Sequence, residues 1–206
     1  MASVLDNSPV QLLNGKPWPK NSNGTYSGLM TLSAAVAGSV NAVAVRVNQM
    51  LGVSNSYSFL ENNLGITTLV DDDLNLSALG LGGLTYGVTT EQMAAAFASF
   101  ANDGVYNKPR LYVEVRDSSD ELVLENPQES QVAMKETTAY FMNQMLKGVI
   151  SGGTGGGAYF PGMTIAGKTG TTSDNYDRYF VGYTPYYSAA VWCGYKENEK
   201  IISRVK

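Results

Sequence analysis

Gly162-Met163-Thr164-Ile165-Ala166-Gly167-Lys168-Thr169-Gly170-Thr171-Thr172 can be parsed in two ways that lead to different folds. Its first eight residues match G-x-x-x-x-G-K-T, a phosphate-cradling loop that opens a helix at the Lys-Thr pair. Its last six close an apolar, β-branched segment, where they would set a cation and several hydroxyls on a strand. A phosphate loop needs a strand before its first glycine and a helix after its lysine. Upstream, however, stand Ser151-Gly152-Gly153-Thr154-Gly155-Gly156-Gly157 and Pro161, and downstream Ser173-Asp174-Asn175-Tyr176-Asp177 has no helical periodicity. No later apolar strand ends in an aspartate placed to hold magnesium. The strand reading leads. It presents Lys168, Thr169, Thr171 and Thr172 at a sheet edge suited to an extended, anionic ligand, and Gly170 lacks a side chain that would obstruct a second backbone in strand addition.

Working outward, residues 163–169, 179–184 and 188–195 are rich in β-branched, aromatic and small side chains, with Thr184-Pro185-Tyr186-Tyr187 as a turn between the last two. Three antiparallel strands are expected at the end of the chain. Before them, apolar residues at helical spacing predict a helix over 137–150. Thr89 followed by Gln92 reads as a capping box for a helix ending at Asn102-Asp103-Gly104. Alternation from Leu111 to Val115 and again at Leu122-Val123-Leu124 predicts a small peripheral hairpin. Residues 31–51 read as helix interrupted at Gly38-Ser39-Val40-Asn41, which becomes a loop between two helices. Residues 1–30, rich in Asn, Gly, Ser and Pro, read as a surface connection of loops and turns. The class is α+β, a helical part followed by an antiparallel sheet.

The 206 residues, 44% apolar and 16% charged, suit one domain. A net charge of −4 spread along the chain offers no basic stripe, which argues against nucleic acid. There is no histidine, so a Ser-His-Asp triad is impossible and acid-base work falls to carboxylate, lysine, tyrosine or cysteine. The lone Cys193 reads as a small buried thiol. No run of 18 apolar residues is present, and the first residues lack the features of a signal peptide, so export and anchoring, if needed, are expected from elsewhere.

Context gives the short motifs their meaning. Residues 31–44, around Ser39-Val40-Asn41, resemble the second active-site motif of penicillin-binding transpeptidases. Gly83 to Ala94, Asn102-Asp103-Gly104-Val105-Tyr106 with Pro109, the segment 165–172, Phe180-Val181-Gly182-Tyr183-Thr184-Pro185 and Val191-Trp192-Cys193-Gly194-Tyr195 resemble the stretches that follow, in the same order. The resemblance runs from about Tyr26 to Tyr195 and is nearest to the bifunctional, class A type. It is nearer to transpeptidases than to the β-lactamases and penicillin sensors that share the core fold.

The resemblance implies a serine-acylating fold, incomplete on its N-terminal side, and one partial transpeptidase domain over 1–206. In the family a serine attacks the D-Ala-D-Ala peptide bond and passes the acyl group to an amine of a second peptide strand; β-lactams mimic that substrate. Carried over, Ser39 would relay a proton, Asn41 would hold the substrate's peptide group and Lys168 would supply positive charge. Thr169 and Thr171 would bind the substrate carboxylate beside Gly170 and Thr172, and the Thr171 N–H would form half of an oxyanion hole. No metal or cofactor is implied. The expected partners are peptidoglycan stem peptides, β-lactams and the missing N-terminal part of the domain, at the outer face of the cytoplasmic membrane. The nucleophile of the family's first motif, Ser-x-x-Lys, is not found: none of Ser3, Ser8, Ser22, Ser27 or Ser33 has a lysine three positions on, and Ser203-Arg204-Val205-Lys206 is read as a chance match. The chain alone is therefore expected to be inactive. A non-catalytic remnant or binding module of the same fold, and the phosphate-loop nucleotide binder, are the competing readings.

Overall fold

The structure, a computed structural model, describes residues 2–197 and 199–201. It opens with strands β1 (Val4–Asn7), β2 (Gln11–Leu13), β3 (Lys16–Trp18) and β4 (Gly28–Thr31). β1 pairs antiparallel with β4, and β2 with β3. The expectation of loop and turn over residues 1–30 is thus corrected. The β2-β3 connection is Asn14-Gly15, both in the left-handed region (φ 51° and 73°), the two-residue turn whose twist matches a hairpin.

Helices α1 (Leu32–Ala37) and α2 (Asn41–Leu51) follow. Thr31 caps α1 by accepting the Ala34 N–H, 3.3 Å. The first turn of α2 is capped from outside: Asn21, buried between β3 and β4, accepts the Ala42 N–H through Oδ1 at 3.1 Å. α3 (Val53–Ser58) runs into a π-helical turn at Phe59–Asn63, and α4 (Leu76–Leu81) and α5 (Thr90–Ala101) come next. Both arms of the Thr89/Gln92 capping box are formed.

Short strands β5 (Val105–Asn107) and β8 (Ser130–Val132) pair around the exposed hairpin of β6 (Glu114–Arg116) and β7 (Leu122–Glu125). α6 (Glu136–Gly152) then buries Met145, Leu146, Val149 and Ile150 along one stripe. The chain ends in β9 (Ala166–Thr171), β10 (Asp177–Tyr183) and β11 (Ser188–Gly194), an antiparallel sheet in the order β11-β10-β9. The expected first strand begins three residues late, because Pro161 and Gly162, the latter at φ 85°, turn the chain before it extends.

Two apolar clusters hold these layers. Leu64, Ile66, Ala96, Tyr106 and Ala133 form one. The other, Leu146, Val149, Ala166 and Tyr183 with Val36, Phe97, Phe100 and Met142 against it, joins α1, α5 and α6 to β9 and β10. Cys193 is exposed rather than buried. The inner half of β11 alternates in burial, but Val191, Trp192 and Cys193 are all exposed, so neither face of the strand is covered there.

Candidate active site

Ser39 sits in the turn between α1 and α2, where Ser39 N–H bonds to Val36 C=O at 3.2 Å and Val40 N–H to Ala35 C=O at 3.0 Å. Its φ of 53° is left-handed. Lys168 lies in β9 opposite Val181 of β10. The second apolar cluster places α1 against α6 and β9, and across it Lys168 Nζ donates to Ser39 Oγ at 2.7 Å. The ammonium also donates to the Thr169 carbonyl at 2.8 Å. Burial lowers the Lys168 pKa from its ordinary 10.5, and among the described residues no carboxylate pairs with it. A part-buried cation without an anion beside it is suited to receive one.

The remaining predicted residues divide by their surroundings. Thr169 faces Phe180 across the pair of strands, and its hydroxyl lies 2.6 Å from that of Thr154. Thr171 is exposed at the end of β9. Thr172 closes the turn into β10, its hydroxyl accepting the Asp177 N–H at 2.8 Å and lying 3.2 Å from the Asp177 carboxylate. Gly170 pairs with Tyr179, and a side chain on it would press on Tyr179 Cβ at 3.2 Å, so the glycine serves packing within the sheet. Asn41, the first residue of α2, donates through Nδ2 to the Lys20 carbonyl at 2.8 Å. Among the described residues no hydrogen bond joins it to Ser39 or Lys168, so a peptide ligand would meet its Oδ1 or exchange with the Lys20 bond.

β9 pairs only with β10 among the described residues, leaving its outer edge open. Thr154, Gly155, Gly157, Ala158, Thr169 and Phe180 line a cleft of about 320 Å³ beside it. Lys168 begins no helix, which removes the phosphate-loop reading. No group of three or more potential metal-ligating side chains occurs among the described residues. Ser203-Arg204-Val205-Lys206 lies outside them. The sequence reading missed Thr154, Lys20 and Asn21. The glycines around Thr154 read only as a break, and the other two lay in a segment taken for a connection.

A family model described as the penicillin-binding protein transpeptidase domain matches residues 3–200, further at both ends than the stretch from Tyr26 to Tyr195. Penicillin-binding protein 1A of Clostridium acetobutylicum is 42% identical over 190 residues, covering 91% of this chain and 23% of that protein. Penicillin-binding protein 1A/1B of Bacillus subtilis is 36% identical over 212 residues, covering 95% of this chain and 22% of its own. The crystal structure of penicillin-binding protein 1A from Haemophilus influenzae superposes with a TM-score of 0.81 at 21% identity, over 100% of this chain and 36% of that one. An imipenem acyl-enzyme complex of penicillin-binding protein A from Mycobacterium tuberculosis gives 0.78 at 19% identity, over 94% and 49%. The two structural likenesses bear on fold alone. The chain spans about a quarter of the curated relatives it matches. With the family model covering nearly every residue and relatives above a third identical, this chain belongs to the penicillin-binding protein transpeptidase domain family.

Proposed function

We propose that this chain supplies the proton-relay and carboxylate-binding half of a peptidoglycan D,D-transpeptidase site, acting at the outer face of the cytoplasmic membrane. The observation that carries the reading is the 2.7 Å contact of Ser39 Oγ with Lys168 Nζ, made between residues 129 positions apart, beside an open strand edge. A stem peptide ending in D-Ala-D-Ala adds along β9 with its carboxylate toward Lys168, Thr169 and Thr171. A serine hydroxyl from a Ser-x-x-Lys segment, supplied from beyond these residues, attacks the penultimate carbonyl, and the Thr171 N–H donates to the oxyanion. The C–N bond breaks, and Ser39 passes the serine's proton to the departing D-Ala amine. An amine of a second peptide then attacks the ester, releases the serine and completes the cross-link. Penicillin enters the same site and stops at the ester. No helix among the described residues is long and apolar enough to cross a membrane.

The test is labelling with fluorescent penicillin followed by intact mass measurement. The chain alone is expected to stay unlabelled, and addition of the Ser-x-x-Lys segment in trans is expected to give one adduct on that segment. An adduct on Ser39 would overturn the assignment of roles. A folded complex that stays silent would favour a non-catalytic binding module.

A further inference from the structure

One residue touches both halves of the site without belonging to either motif. Thr154 follows α6 in the glycine-rich break. Its N–H donates to the Ala37 carbonyl at 3.1 Å, two residues before Ser39. Its hydroxyl lies 2.6 Å from that of Thr169, the residue after Lys168. The loop itself is fastened to the end of α6, with Gly153 and Gly155 N–H both directed to the Val149 carbonyl at 3.2 and 2.9 Å. Val149 is fully buried. Side chains are excluded on either side: a Cβ on Gly153 would overlap the Ala37 carbonyl oxygen, and one on Gly155 would meet Ile150 Cδ1 at 2.9 Å. The glycines thus let the loop approach α1 closely enough for Thr154 to span it and β9.

We propose that Thr154 is a positioning residue, a brace that holds the Ser39 turn and the Lys168 strand at one spacing and sets the Thr169 hydroxyl to donate to a ligand carboxylate. Either hydroxyl can donate in this pair; the proposed role requires Thr154 to be the donor to Thr169 Oγ1, which turns the Thr169 hydrogen outward to the cleft where an anion arrives, whereas the reverse direction would leave Thr169 no hydrogen to give. An exposed hydroxyl pair contributes little to folding, so its loss should be read in the site and not in the melting temperature. The inference rests on the transpeptidase reading and is tested on the full-length protein with its Ser-x-x-Lys segment. Thr154→Val is expected to slow acylation by penicillin at least about tenfold, and Thr154→Ser to stay within about threefold of the parent, at equal melting temperatures. If the brace works through Thr169, Thr154→Val adds nothing to Thr169→Val in a double-mutant cycle. Acylation of Thr154→Val at the parental rate overturns the proposal. Crystal structures of both variants give a readout independent of activity. The 2.7 Å Ser39–Lys168 contact is expected to open in the valine variant and persist in the serine variant, and an unchanged contact in both overturns the brace. If the parent protein fails to label at all, the transpeptidase reading falls, and these distances alone decide whether Thr154 braces the two motifs.

Discussion

Among the described non-glycine residues with positive φ, Asn14, Asp103, Asp120, Asp174 and Asn175 are of the types that tolerate the left-handed region, and Ser39 is the exception. That conformation costs a residue with a β-carbon about 1 to 2 kcal/mol, and here it turns Oγ onto Lys168. Two substitutions separate strain from chemistry. Ser39→Gly should leave stability within about 1 kcal/mol of the parent, and β-branched Ser39→Val should lower it by a further 1 to 2 kcal/mol or so; urea unfolding reads both. In the full protein each should cut penicillin acylation about a hundredfold or more, and a Ser39→Gly protein that acylates normally would remove the relay. Lys168 makes a prediction in pH. Its folded-state pKa is depressed by burial, so between that value and 10.5 the unfolded chain binds more protons, and stability rises with pH across this window. Below the window the buried charge costs stability in full. Lys168→Met removes the titration, so the stability difference between parent and variant should move in the parent's favour as pH rises toward 10.5. A difference independent of pH in urea titrations would contradict a buried, depressed lysine.

At the scale of elements, β9 and β10 close on each other because Gly167 faces Gly182 and the Phe180 ring lies over both; a Cβ on Gly182 would meet that ring at 2.8 Å. The same sheet is tied to the helices by polar contacts: Tyr183 donates its hydroxyl to Asn143 of α6, and Asn143 donates to the Phe100 carbonyl at the end of α5. Burial drives the Tyr183 pKa upward, so it remains a neutral donor throughout the ordinary pH range. Tyr183→Phe should cost about 1 to 2 kcal/mol by leaving the Asn143 carbonyl without its partner; a variant as stable as the parent in chemical denaturation would show that Asn143 repairs itself elsewhere. This element was legible in outline. The capping box at Thr89, the stripe of α6 and the apolar runs of β9 to β11 are local patterns, and each produced its element. The four N-terminal strands were not, because strands of three or four residues broken by Asn, Gly and Pro carry too few alternations, although Asn14-Gly15 between Leu13 and Lys16 was a usable hairpin signal. Asp73 was likewise opaque. It stood in a stretch with no assignment. Burial would raise its pKa, yet the carboxylate is held below 3.8 by the Thr85 N–H and hydroxyl and the Val70 N–H, closing a loop across 12 residues that no spacing rule announces. Within the site, resemblance named Ser39 and Lys168, but the engagement of Asn41 by Lys20 and the bridge at Thr154 depend on tertiary contacts between segments with no shared periodicity.

For the molecule as a whole, the three-stranded sheet is open on both sides among the described residues, and the two openings differ chemically. The β9 edge carries a lysine and threonines, polar groups suited to a ligand and unsuited to indiscriminate pairing. The β11 edge, Ser188-Ala189-Ala190-Val191-Trp192-Cys193-Gly194, has neither charge nor proline, and Val191 and Trp192 are 62% and 45% exposed. Native edges are ordinarily shielded by such groups or covered by another element, so this one is a template for pairing. The transpeptidase reading predicts that the part bringing the Ser-x-x-Lys segment covers this edge. The isolated chain should therefore self-associate through β11 as its concentration rises. Val191→Lys, which sets a charge on the exposed face without touching the apolar clusters, should shift it toward monomer. Sedimentation velocity over a concentration series reads both proteins. Because the covering part and a second copy compete for one edge, adding that part should dissolve the self-association of the parent while restoring penicillin labelling. If the parent sediments as a monomer throughout, or Val191→Lys associates equally, β11 is not the vulnerable edge; if labelling returns while self-association persists, the covering part docks on another surface.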